Sequence, residues 1–188
     1  LATASMRAKP AASVRKSATE IAFGAIRRML ALDYAIAKTS GRTLGEIDPL
    51  LADILRIASY QIVYMRSEAG YAVVDSAVEQ AKKLAHKSAS GFVNAVLRKM
   101  TAPGFTAPLP DRAADPALWL SVSESHPRWM VDDWIARFRF DRAFTMCRYD
   151  NEAPPASIRR NSMKASASDL ASLLLDAGME SEPGSLSP

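Results

Sequence analysis

The run "SASGFVNAVLRKM", residues 88–100, sets two small hydroxyl residues, Ser88 and Ser90, ahead of Phe92 and Asn94 and ends in Arg98-Lys99. Further basic residues are scattered through the same half of the chain: Arg27-Arg28, Lys82-Lys83 and Lys87. Each basic pair alone reads as a solvated face. Together with an aromatic ring beside a helix N-terminus they suit one chemistry. Backbone amides and cations meet phosphate there, and a ring offers a face on which a base can stack. Phe92 has two readings at this stage, a stacking platform or a core residue. Asn94 also has two, a contact to nucleic acid or an amide that ties the helix start to a neighbouring loop.

Other chemistry is thinly represented. The two histidines, His86 and His126, lie far apart, and His126 precedes Pro127 where it can cap a helix. Cys147 sits next to Met146 on an amphipathic stretch and reads as a core thiol. Asp132 and Asp133 are adjacent and so point to different sides of a helix, which makes no paired-carboxylate site. There is no G-x-G-x-x-G, no phosphate loop and no cluster of metal ligands. No self-contained active site is evident, and neither a cofactor nor a metal is expected in this chain.

The elements that must position these residues read as helices. Phe92, Val93, Val96, Leu97 and Met100 repeat with a 3.6-residue period. "SATEIAFGAIRRMLALDYAIAK" is helical, with Ile21, Ala25, Met29 and Ile36 near one face and a break expected around Leu32-Asp33. Asp48-Pro49 is an N-cap followed by proline at the first helical position, opening a helix that turns Leu51, Ile54, Leu55, Ala58, Ile62 and Met65 inward. "AVVDSAVEQAKKLAHK" turns Val74, Ala77, Val78, Ala81 and Ala85 inward. With no period-2 pattern, residues 18–101 are an all-α bundle. Residues 1–17 read as a mobile or trimmed N-terminal arm. The Pro/Ala-rich stretch 102–125 reads as a linker, 126–152 as connecting helices, and 153–188 as the start of an incomplete α/β subdomain. In that last part "ASIRRNSM" is an expected strand, "SASDLASLLLDAGM" a helix capped by Ser166, and "ESEPGSLSP" a returning strand or loop.

Charge separates the halves. Residues 1–100 carry 15 Lys/Arg against 8 Asp/Glu, and residues 101–188 carry 9 against 12. A basic first half makes nucleic acid the first candidate partner. No run of eighteen apolar residues could span a membrane, the N-terminus has no apolar signal core, and a single cysteine suits a reducing compartment. A cytoplasmic protein without membrane contact is the expectation.

Several stretches together resemble a known family. "AVVDSAVEQAKKLAHKSASGFVNAVLRKM" and "DPLLADILRIASYQIVYM" resemble the later helices of a NusB-like RNA-binding domain. "SHPRWMVDDWIARF", "CRYDNEAPPASIRRNSMK" and "LLLDAGMESEPGSLSP" follow in the order of the Fmu/Sun family of ribosomal-RNA cytosine-C5 methyltransferases. The resemblance runs from about residue 18 to the end. It implies a mainly α fold: a NusB-like helical bundle, then linker helices, then the beginning of a small α/β subdomain. It further implies RNA, ribosomal RNA in particular, as the partner. The RNA-facing residues carried over from the family are Ser88, Ser90, Phe92 and Asn94. Arg27, Arg28, Lys82, Lys83 and Lys87 join them on the charge argument. S-adenosylmethionine and a catalytic cysteine belong to a further domain whose glycine-rich and Pro-Cys motifs are not among these 188 residues. The fragment is therefore expected to be inactive alone, and Cys147 matches no catalytic position. The alternative is a NusB-type transcription antitermination factor, which leaves residues 126–188 without a role. A helical protein-interaction module that binds no RNA is a third reading.

Overall fold

The computed structural model describes residues 11–65, 70–85, 88–152 and 156–182. Eight α-helices occur among them: α1 (Ala12–Arg27), α2 (Met29–Ser40), α3 (Pro49–Val63), α4 (Gly70–Leu84), α5 (Ala89–Met100), α6 (Pro116–Ser123), α7 (Arg128–Asn151) and α8 (Ala167–Asp176). The chain falls into two compact units that divide between Asn151 and Glu152.

In the first unit α2, α3, α4 and α5 close around one core. Ile36, Leu55, Val74, Ala81, Val93 and Leu97 are fully buried in it. The inner face of α4 is built from Val73, Val74, Ala77 and Ala81. These short side chains let its neighbours approach closely, as ridge-into-groove packing requires. Asp48 caps α3 by accepting hydrogen bonds from the Leu50 and Leu51 amides at 2.9 and 3.4 Å, with Pro49 at the first helical position. Ile62 is half-buried and Met65 is 37% exposed, so α3's inward stripe ends before Met65.

The break between the first two helices falls at Arg28 rather than at Leu32-Asp33. Leu32 is buried in helical backbone, and Asp33 is held by Arg56 of α3 through two bonds of 2.6 and 2.9 Å, so neither disturbs α2. Arg28 instead carries φ −103°, ψ 18°. Ser125 supplies what the interrupted helix lacks. Its backbone is left-handed at φ 56°, and its hydroxyl accepts the Ala31 amide at 3.0 Å, one of the donors a helix start leaves without an intrahelical partner. The break also turns Met29 outward, to 40% exposure. Upstream, Gly24 lets α1 lie directly on α3, because a Cβ there would fall inside the Tyr60 phenol ring.

Between 102 and 125 the expected linker contains α6, started by an Asp115 cap and Pro116. Likewise α1 begins at Ala12, inside the stretch expected to be an arm; residues 1–10 lie outside the described residues. α6 and α7 make a second small core from Leu120, Val131, Ala143 and Cys147, against which Trp119, Trp134, Phe140 and Phe144 pack. His126 does not cap α7. It is buried, with Nδ1 2.8 Å from the Glu124 carbonyl and its ring 5.7 Å from Trp134. Asp132 and Asp133 part as expected, to Arg128 and Arg137 respectively. α7 is interrupted at Arg139, whose φ 66°, ψ 166° is a conformation almost confined to glycine and costs about 1–3 kcal/mol.

In the second unit Ser166 and Asp169 form a reciprocal capping box at the start of α8. The strand expected over "ASIRRNSM" is not formed. Residues 156–161 have no regular secondary structure, and no partner strand lies among the described residues to give them a ladder. The expected returning strand falls largely on 183–188, outside the described residues.

Candidate nucleic-acid interface

The predicted basic and aromatic residues divide between the two ends of α2. At twelve residues this helix is about 18 Å long. At its N-terminal end Arg28 is consumed by structure. Its guanidinium pairs with Glu124 at 3.2 Å, donates to the Ser123 carbonyl at 3.3 Å and lies over the Tyr64 ring at 5.4 Å. The adjacent phenol is pushed up in pKa by its burial. Arg27 is exposed and donates to the Asn151 carbonyl at 3.5 Å. Neither arginine shares a surface with the start of α5.

At the other end a compact group does form. α2 stops on Gly41 in the left-handed conformation (φ 72°), which any L side chain adopts only with strain, and the chain turns sharply into Arg42. The Arg42 guanidinium lies 4.9 Å from the centre of the Phe92 ring, a cation–π contact. Phe92 is half-buried, packed against the bundle core with Arg42 over its ring. Lys99 clamps α5 to α2 by donating to the Thr39 carbonyl at 3.2 Å. Lys38 lies over Tyr34 at 5.3 Å. A cavity of about 330 Å³ opens beside this group, lined by Ala37, Lys38, Gly41, Arg42, Thr43 and Glu46. The Thr43 amide (2.7 Å) and hydroxyl (2.8 Å) donate to Glu46 and hold its carboxyl below the usual carboxylate range. One carboxylate thus shares the cavity with two cations.

The remaining predicted residues follow from α4 and α5. These helices pack together and are joined by only four residues, which brings Lys82 and Lys83, in the last turn of α4, to the end where α5 begins. Lys82 reaches back to Glu79 at 2.6 Å, an exposed pair of little energetic weight. Lys83 is exposed. Lys87 lies outside the described residues. Ser88 enters α5 with helical dihedrals (φ −70°, ψ −23°), not the extended backbone of a side-chain cap, and Ser90 sits in the first turn. Among the described residues Asn94 pairs within its own helix, its Oδ1 accepting from Arg98 one turn on, at 3.1 Å, and Arg98 also lies 5.8 Å from the ring of Tyr71, itself 70% exposed.

Arg42 is the member of this group that the sequence pattern missed. The Gly41-Arg42 step after a helix was the available signal, but its pairing with Phe92 spans fifty positions and exists only in the folded bundle.

A NusB family model matches residues 3–102, and a model described as the Methyltr_RsmF/B-like, ferredoxin-like domain matches residues 126–188. Among curated proteins the chain is 33% identical over 168 residues to the Probable ribosomal RNA small subunit methyltransferase B of Bacillus subtilis, covering 89% of this chain and 37% of that protein. It is 26% identical over 166 residues to the protein of the same name from Synechocystis (88% and 36%). It is 29% identical over 160 residues to the Ribosomal RNA small subunit methyltransferase B of Pseudomonas putida (85% and 35%). The chain thus spans little more than a third of the length of these relatives. No solved structure gives a significant match. With its helical bundle matched from end to end and the ferredoxin-like match following it, the chain belongs to the NusB family.

Proposed function

We propose that this chain is the RNA-binding N-terminal region of an S-adenosylmethionine-dependent ribosomal-RNA (cytosine-C5) methyltransferase that works in the cytoplasm. The observation that carries the reading is the Arg42–Phe92 pair at the first turn of α5, within the matched bundle, on the helix that follows the Lys82-Lys83 end of α4. Arg42, Lys82, Lys83, Ser88, Ser90, Phe92 and Asn94 form the RNA edge in this proposal. Lys87 belongs to it by its position in the chain. Arg27 and Arg28 are left out, because their guanidiniums face α6 and α7. A strand of RNA would lay phosphates along the cations and stack a base on Phe92 once Arg42 swings aside.

Methyl transfer belongs to another part of the parent protein. Two cavities among the described residues do not fit S-adenosylmethionine: one is lined by Lys38, Arg42 and the already bonded Glu46, the other by apolar side chains and Arg112, and neither has a glycine-rich turn against which a nucleoside could lie. The names of the relatives support the substrate class.

The test is a fluorescence-anisotropy titration of the chain with single-stranded fragments of small-subunit ribosomal RNA over a salt series. Log K should fall linearly with log salt, by about 0.7 per neutralised phosphate. Replacing Lys82 and Lys83 with alanine should weaken binding and flatten that slope, with thermal stability nearly unchanged. Salt-independent affinity that ignores both lysines would overturn the proposal.

A further inference from the structure

The region between the bundle and the end of α7 holds a second arrangement of rings and cations that the proposed RNA edge does not use. Trp119 lies 6.4 Å from Phe140 and 6.0 Å from Phe144, and the two phenylalanines stack at 6.4 Å with their planes 6° apart. Two guanidiniums lie on these rings. Arg112 is 4.8 Å from the Trp119 centre and 4.9 Å from that of Phe140, and Arg148 is 5.8 Å from Phe144. Both arginines are exposed, and neither has a carboxylate partner among the described residues.

Beside Arg112 a cavity of about 440 Å³ opens, walled by Pro116, Ala117, Ile135 and Phe140, with Asp115 at its edge. The Asp115 carboxylate is already committed, to the Leu118 amide at 2.9 Å and to Arg128 at 2.8 Å. It makes no ion pair with Arg112. The cavity exists because of the interruption at Arg139. On an unbroken helix, side chains five residues apart point about 140° away from each other. Ile135 and Phe140 line one cavity only because the helical phase is reset between them, at the residue with the glycine-like backbone.

We propose that this cavity and the Arg112–Arg148 face form a second single-stranded RNA contact, which seats one unpaired base against Phe140 and the adjoining phosphates on Arg112 and Arg148. It rests on the reading that the chain binds RNA. The ligand class follows from what the site offers: a flat apolar wall, space of the size small-molecule pockets have, and two planar cations over rings with no carboxylate partner among the described residues. A nucleotide carries a ring and an anion a few bonds apart. An acidic peptide brings the charge without the ring, and an apolar peptide leaves both guanidiniums unanswered.

The experiment uses the 188-residue chain and a short single-stranded oligoribonucleotide containing 4-thiouridine. Photo-cross-linked peptides are mapped by mass spectrometry, and anisotropy titrations over a potassium chloride series compare the wild type with Arg112→Ala, Arg112→Lys, Arg148→Ala, Phe140→Leu and the Lys82→Ala/Lys83→Ala pair. Cross-links at Trp119 or Phe140 are expected. Arg112→Ala should weaken binding about 5- to 100-fold, and Arg112→Ala and Arg148→Ala should each flatten the salt slope by about 0.7. Arg112→Lys should keep the slope and lose affinity, which distinguishes lost stacking from a collapsed fold. Suppose instead that wild-type binding depends on Lys82 and Lys83, ignores Arg112, Arg148 and Phe140, and gives no cross-links between 112 and 148. The second contact is then overturned and the first edge stands. Occupation of the cavity by an apolar peptide that RNA does not displace overturns it as well. A wild-type chain with no RNA affinity overturns both.

Discussion

Replacing Phe92 with alanine probes both faces of the ring at once. Truncating a fully buried phenylalanine costs about 3–5 kcal/mol. Phe92 is half-buried, so the packing loss should be about half that, roughly 1.5–2.5 kcal/mol. Losing the Arg42 contact adds about 0.5–1 kcal/mol, as for cation–π pairs near water. The total, about 2–3.5 kcal/mol, leaves the bundle folded within the usual margin of stability. Arg42→Ala alone should cost only about 0.5–1 kcal/mol, and urea denaturation of the two single variants and the double should return a coupling of that same size. In RNA titrations Phe92→Ala should lose about 1–3 kcal/mol of binding, whereas Arg42→Ala should mainly flatten the salt dependence, since it removes a cation but bares the ring. A chain that unfolds on Phe92→Ala, or a double variant that is merely the sum of the singles, would refute the two-faced reading. A folded Phe92→Ala protein with unchanged RNA affinity would remove the stacking platform.

Gly24→Ala should destabilise the first unit by about 1–3 kcal/mol or more, because the new methyl group collides with the Tyr60 ring. Tyr60→Ala in the same chain should relieve part of that loss in thermal melts, and an unaffected melting temperature for Gly24→Ala would show that the Tyr60 ring is not fixed against α1. Burial pushes the Cys147 thiol up to about 11 from an ordinary value of 9.0. Iodoacetamide at pH 8 should therefore leave it unmodified in the folded chain and alkylate it once the chain is denatured. The same displacement has a sign in stability. Above pH 9 the unfolded chain ionises first, so stability should fall between pH 9 and 11 by up to about 2–3 kcal/mol relative to Cys147→Ser, in denaturation curves taken across that range.

Local signals in the sequence survived folding and distant ones did not. Asp48-Pro49 and the Ser166–Asp169 box were legible because a cap is satisfied within three residues of itself. The inward stripes of α3, α4 and α5 were legible because burial follows the helical period. The break at Arg28 was not, since its cause lies in Ser125, in Glu124 and in the packing of Gly24 on Tyr60. Arg42 stayed hidden for the same reason, as did Arg112, which the Pro/Ala-rich composition marked as linker. The strand over 156–163 was read from side-chain pattern, but a strand is completed by its neighbour and not by its own residues.

The hydroxyl of Ser125 completes a helix that begins nearly a hundred residues earlier, with 94 positions between donor and acceptor. On the ribosome this imposes an order of events. At ordinary elongation rates of about 5–20 residues per second, α2 is made roughly 5–20 s before the residue that closes its open end has been synthesised. Once α5 has been made, the nascent bundle has its core but not yet Ser125 and Glu124 at its hinge, and α1 is held only by its packing on α3. Arrival of Ser125, with Glu124 beside it to take Arg28, sets the angle at which α1 leaves. The loop before α7 thus acts as a latch on α1. Nascent chains stalled before residue 125 should show α1 as protease-sensitive, and those stalled well beyond it should not.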